Sequence, residues 1–123
     1  MRKLLLLISI ILLSCNDDDK TEDPVLCTLE ARPGLEITIK DAMDDIFLVE
    51  GVEVVATDNE YLETLENIIG TNVFVGAHER KGTYTIVVNK TGYTTSTNGP
   101  IIVNEDICHV ITESLEVLLR KNQ

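Results

Sequence analysis

The side chains able to do chemistry are few: three cysteines, two histidines and a surplus of carboxylates in a chain of 123 residues. His109 follows Cys108 directly, an adjacency that could offer a thiol beside an imidazole, and His78 could join His109 as a metal ligand. Neither histidine stands in a recognisable spacing, for the chain has no G-x-S-x-G and no H-E-x-x-H. Both are therefore expected on the surface or at a strand edge. Asp41, Asp44 and Asp45, with Asp58 and Glu60 on a neighbouring loop, supply the hard oxygens that Ca²⁺ prefers. Without a D-x-D-x-D-G loop they remain weak calcium candidates, and a solvated acidic loop with no cofactor is the expectation. Tyr84 and Tyr93 are expected to pack in the core or anchor a strand corner.

The chain's beginning carries a different chemistry. Arg2 and Lys3 precede Leu4 to Leu13, an apolar run broken only by Ser9. Ten residues rise about 15 Å as a helix, roughly half the hydrocarbon thickness, so the run is too short to span a membrane. It closes in Leu12-Leu13-Ser14-Cys15, which resembles the lipobox of bacterial lipoproteins. The resemblance implies that residues 1–14 are a signal peptide and that Cys15 is acylated and becomes the first residue of the mature chain. Two or three acyl chains anchor stably, since each buried methylene contributes about 0.8 kcal/mol. Asn16 and the aspartates Asp17, Asp18 and Asp19 follow at once. An acidic run there resembles the export signal of Bacteroidota lipoproteins, which implies the outer membrane and display at the cell surface. Residues 15–24 also read as a solvated acidic linker.

Removing residues 1–14 leaves 109 residues, enough for one core and one domain. It also leaves 8 basic against 21 acidic side chains, a formal −13. Such a surface repels phosphate backbones and anionic lipid, which excludes nucleic acid as a partner and leaves the N-terminal lipid as the membrane contact. Setting Cys15 aside leaves Cys27 and Cys108, an even pair in an exported chain, and this argues for a disulfide.

The remaining pattern is that of strands. Val25, Cys27 and Leu29 alternate with Leu26, Thr28 and Glu30, which predicts a first strand with its cysteine facing inward. Leu35 to Lys40 alternates strictly, and Val52–Thr57, Asn72–Ala77, Thr83–Val88, Ile101–Val103 and Ile107–Leu119 are β-rich. Thr91 to Asn98 reads as a threonine-rich loop. Tyr61, Leu62, Leu65, Ile68 and Ile69 instead have helical spacing, with Gly70 placed as a C-cap, and Thr112 could cap a helix to Lys121. Seven or eight short strands predict an all-β, antiparallel sandwich over residues 25–120.

Four stretches carry a resemblance: Leu35–Asp41, Gly51–Ala56 (GVEVVA), Gly82–Val87 (GTYTIV) and Lys90–Tyr93 (KTGY). They resemble carboxypeptidase regulatory-like domains, transthyretin-like and Ig-like sandwiches, over roughly residues 27–119. The family's Thr-Gly-x-Pro-Leu turn is replaced here by Met43 to Val49. The resemblance implies a strand at 61–66 against the helical spacing, and we side with the strand. It also implies that the first and last strands lie close, which would let Cys27 reach Cys108. Despite its name the family is non-catalytic. The expectation is a surface module that binds or scaffolds a protein or glycan, not an enzyme. The alternative is an accessory domain or subunit of a surface hydrolase with an unrecognised site, which a cleft of convergent titratable groups would favour.

Overall fold

The computed structural model describes residues 25–123, so the lipobox, Cys15, the aspartates Asp17 to Asp19 and the rest of residues 1–24 lie outside it. Eight strands form: β1 Leu35–Asp41, β2 Glu53–Asp58, β3 Tyr61–Thr64, β4 Glu66–Asn67, β5 Val73–Gly76, β6 Gly82–Asn89, β7 Ser96–Val103 and β8 Glu113–Leu119. They make two four-stranded sheets, β4-β5-β1-β8 and β3-β2-β6-β7. The described residues form an all-β sandwich.

Alternation explains which residues meet between the sheets. In β1, Leu35, Ile37, Ile39 and Asp41 are buried while Glu36, Thr38 and Lys40 are half exposed. Opposite them, Val54 and Ala56 of β2 and Tyr84, Ile86 and Val88 of β6 are fully buried. Phe74, Val103, Val117 and Leu119 join this core, with Leu48, Leu65, Ala77 and Val110 at its margins. Each full burial of a large apolar side chain contributes about 1.5–3 kcal/mol.

The sheets are antiparallel with one exception. β1 and β8, the first and last strands, pair in parallel over seven residues, Leu35 opposite Glu113 through Asp41 opposite Leu119. The fold thus brings the two ends of the domain together, through the one parallel pair in an otherwise antiparallel sandwich.

Two segments depart further from expectation. Residues 25–34 form no strand, and Leu26 and Leu29 are 89% and 103% exposed. Cys27 is exposed, not turned into the core. Alternating apolar residues make a strand only where a neighbouring edge supplies hydrogen bonds. Here pairing starts at Gly34, whose amide donates to the carbonyls of Gly76 and Ala77 at 3.1 and 3.0 Å. Likewise residues 107–112 lie in a loop, and only Glu113–Leu119 of the last segment is strand. The Thr112 hydroxyl donates to the Pro33 carbonyl at 2.7 Å and caps no helix.

The helical spacing at 61–69 folds as β3 and β4, with Leu65 buried between them and its amide bonded to the Val54 carbonyl. Gly70, at φ 85°, serves the turn into β5. The threonine-rich loop is shorter than expected, because Ser96, Thr97 and Asn98 already belong to β7.

Candidate functional site

The polar groups that converge do so where the chain enters the sandwich. Gly34 must be glycine there: a Cβ would lie 2.8 Å from the Ala77 carbonyl oxygen and 3.0 Å from Val103 Cγ1. The close approach sets Arg32 beside the β5–β6 turn, and Glu79 donates its amide to the Arg32 carbonyl at 2.9 Å. That turn runs through Ala77 and Glu79, both at positive φ. On the other side lies the loop between β7 and β8. Asp106 Oδ1 accepts the amides of Cys108 and His109 at 2.8 and 2.9 Å, a side-chain-closed turn that aims both residues at the entering chain. These two amides, His109 first, hold the Asp106 carboxyl below its ordinary range.

Three contacts then fasten the segment. Cys27 and Cys108 are joined as a disulfide with their Cα atoms 5.2 Å apart, inside the range such bonds span. Both cysteines sit in loops. Thr28 Oγ1 lies 2.8 Å from His109 Nε2, and His109 Nδ1 bonds Glu79 Oε2. Glu79 also accepts the Val110 amide on Oε1 at 3.0 Å. These donors, with His109 the strongest, hold its carboxyl below the usual value, so it is ionised at neutral pH. An ionised Glu79 takes the proton on Nδ1 and leaves Nε2 facing the threonine hydroxyl. His109 is 7% exposed, so of the two places expected for it the open surface is excluded, whereas His78 is exposed.

A cleft of about 490 Å³ opens beside this chain of contacts, lined among others by Thr28, Glu30, Glu79, Glu105, Asp106 and His109. Its walls are acidic, and their charges are already engaged. Glu30 pairs with Arg32 at 2.9 Å, and Glu105 with Lys81 at 3.2 Å. The order hydroxyl, imidazole, carboxylate is that of nucleophilic catalysis. Thr28 Oγ1 also donates to Glu30 Oε1 at 3.3 Å, a second acceptor for its proton, and the wall carboxylates Glu30, Glu105 and Asp106 offer a developing oxyanion no donor, which opposes acyl transfer.

The acidic loop lies at the far end of β1, about 20 Å away at 3.3 Å per residue. Asp41, expected in solvent, is 1% exposed. Its Oδ1 accepts the amides of Met43 and Asp44 at 2.8 and 2.9 Å, and its Oδ2 accepts the Tyr93 hydroxyl at 2.7 Å. Asp44 pairs with Lys121 at 2.7 Å and Asp45 with Lys40 at 3.4 Å. These carboxylates close a turn and tie it to the chain's end. Asp58 does a similar job for Arg80 at 3.0 Å, and Arg80 stacks 3.7 Å above the Tyr61 ring. Among the described residues no group of three or more His, Cys, Asp or Glu side chains is placed to hold a metal ion.

Tyr84 and Tyr93 do what the sequence suggests. Tyr84 is fully buried and donates to the Arg80 carbonyl at 2.7 Å, and Tyr93 anchors Asp41. Thr28 and Glu79 escape sequence reading, being 81 and 30 residues from His109.

No protein-family model matches this chain, and neither does any curated protein sequence. What the site can do therefore rests on its own geometry.

Proposed function

We propose that this protein is a lipid-anchored, non-catalytic module of the outer membrane's outer surface, where it binds or scaffolds a protein or glycan. The lipobox at Cys15 and the aspartates after it support the anchoring and the address. The sandwich architecture is compatible with a carboxypeptidase regulatory-like domain, the family its motifs resemble. The observation that weighs most is the Cys27–Cys108 disulfide, which belongs to an oxidising compartment and fastens the domain twelve residues after the acylated cysteine. The Cys15→Ala variant tests this reading. It should take up no fatty-acid label and leave the membrane fraction; continued labelling would overturn it.

A second reading follows from the Thr28–His109–Glu79 chain. It makes the domain an accessory part of a surface hydrolase, with Thr28 as nucleophile, His109 as base and Glu79 as the group that orients it. The acidic walls of the cleft place this reading second. Hydrolysis of a p-nitrophenyl ester that disappears in Thr28→Ala would reverse the order.

A further inference from the structure

The two outer faces of the sandwich differ in charge. On the β4-β5-β1-β8 sheet, β1 presents Glu36, Thr38 and Lys40 outward and β8 presents Ser114, Glu116 and Leu118, with Lys40 and Glu116 paired at 3.6 Å. On the other sheet the residues between the buried positions are of another kind. Register sets Thr64, Val55, Val87 and Thr97 side by side across all four strands. A second row runs Leu62, Thr57, Thr85, and a third pairs Thr83 with Ile102. Five threonines and four aliphatic side chains thus share one face. Leu62 and Ile102 are 65% and 57% exposed at its corners. Glu53, at the beginning of β2, is the only ionisable side chain that the strands place there.

Residues 25–123 hold seven basic and sixteen acidic side chains, so a face across four strands with Glu53 as its single charge is a departure from the rest of the surface. We propose that this face docks a neutral, particulate polysaccharide. The inference names the partner and the surface for the binding-module reading above, and rests on it.

Complementarity decides the partner. A basic protein would be drawn to the carboxylates elsewhere, and an anionic polymer would be repelled by the molecule as a whole. A second copy carries the same net charge. It would also gain little: four strands of four to eight residues, spaced about 4.8 Å apart, give a footprint of about 400 Å². A stable protein pair buries about 800 Å² on each side. A neutral polysaccharide needs no charge opposite it. Its ring hydroxyls and C–H faces match a threonine, which offers a hydroxyl and a methyl on one β-carbon. Three rows across the strands point to a packed array of chains and not to a lone sugar, since a short oligosaccharide reaches only one row.

The test uses the full-length lipidated protein in detergent micelles, mixed with microcrystalline cellulose, particulate β-1,3-glucan or granular starch, and with pectate as a charged control. Thr64→Lys with Thr97→Lys puts two charges on the four-strand row at exposed positions. Thr83→Lys serves where the double variant melts early. Retention of the wild type by a neutral particle, reduced about tenfold or more in the lysine variants, supports the proposal. It is overturned if no neutral particle retains the protein, or if wild type and variants are retained equally. Equal retention would leave the binding-module reading intact and move its site elsewhere. A concentration-dependent dimer that the lysines abolish would also overturn it and assign the face to a second copy. Loss of fatty-acid labelling in Cys15→Ala is read separately and bears only on the anchor.

Discussion

The Tyr93 hydroxyl donates to Asp41 Oδ2 at 2.7 Å, joining the turn after β6 to the last residue of β1 across the end of the sandwich. Asp41 is buried with every oxygen in use, so its charge is a structural element. The Asp44 amide, then the Tyr93 hydroxyl, hold its carboxyl well below the usual carboxylate range. A carboxyl depressed in the folded state contributes stability in full above its unfolded value of about 3.9, and loses it as pH falls toward the folded value. The melting temperature should therefore drop steeply in acid. In Asp41→Asn it should start several degrees lower at neutral pH and fall less steeply below about pH 4. Thermal melts at a series of pH values would show both.

With those oxygens occupied, and Asp44 and Asp45 paired to lysines, the loop at Asp41–Asp45 offers calcium no vacant carboxylate pair. Calcium titration should leave the melting temperature of the wild type unchanged. A rise of several degrees, lost in Asp44→Asn with Asp45→Asn, would contradict this.

Cys27 and Cys108 lie outside both sheets, so breaking their bond should leave the sandwich folded. It should still cost stability, because the crosslink closes a long loop in the unfolded chain. The expected loss on Cys108→Ser is about 2–4 kcal/mol, read from urea denaturation. Protease cutting should appear between residues 25 and 33 at the same time. Free thiols in the alkylated, unreduced protein would refute the pairing itself.

Thr28→Ala removes the hydroxyl that meets His109 Nε2 while leaving the disulfide in place. If the contact is a fastening, the variant should show faster amide exchange in residues 28–32 and no change in any esterase rate. A rate that falls with the hydroxyl would instead show that Thr28 reacts.

Ile86 is fully buried between the sheets, whereas Leu62 stands on the outer face. Ile86→Ala should cost about 2–5 kcal/mol, through lost burial and the cavity left behind. Leu62→Ala should stay within about 0.5 kcal/mol. Chemical denaturation of the two variants separates core from surface and checks which face of β3 looks outward.

Much of the sandwich was legible because its period is short-range. β1, β2, β5 and β6 each show their alternation or β-branched content within six or seven residues, and two leftover cysteines announced their bond by parity. What failed depended on distant partners. Val25, Cys27 and Leu29 have a strand's pattern, but the edge they needed is not offered to them. The helical spacing of Tyr61 to Ile69 is an accident of two short strands and a turn. Nothing local reveals that β8 lies parallel to β1, since register is settled between residues about 78 apart in sequence. The cluster around His109 was hidden for the same reason. Its partners arrive from the chain's entry and from a turn whose positive φ at Glu79 no residue type foretells.

The parallel pairing of β1 and β8 has a mechanical consequence. Parallel terminal strands put the chain's entry at one end of the sandwich and its exit at the other. Tension between the two ends would load the seven-residue ladder in shear, so that its hydrogen bonds resist together and do not unzip one by one. The disulfide reroutes that tension. Force arriving at Cys27 crosses directly to Cys108 and continues along β8, so the loop between them, closed over a sequence separation of 81, carries none of it. Oxidised, the domain is a taut strut about fifteen residues long. Reduced, it becomes a shear-loaded spring whose failure would release the whole fold.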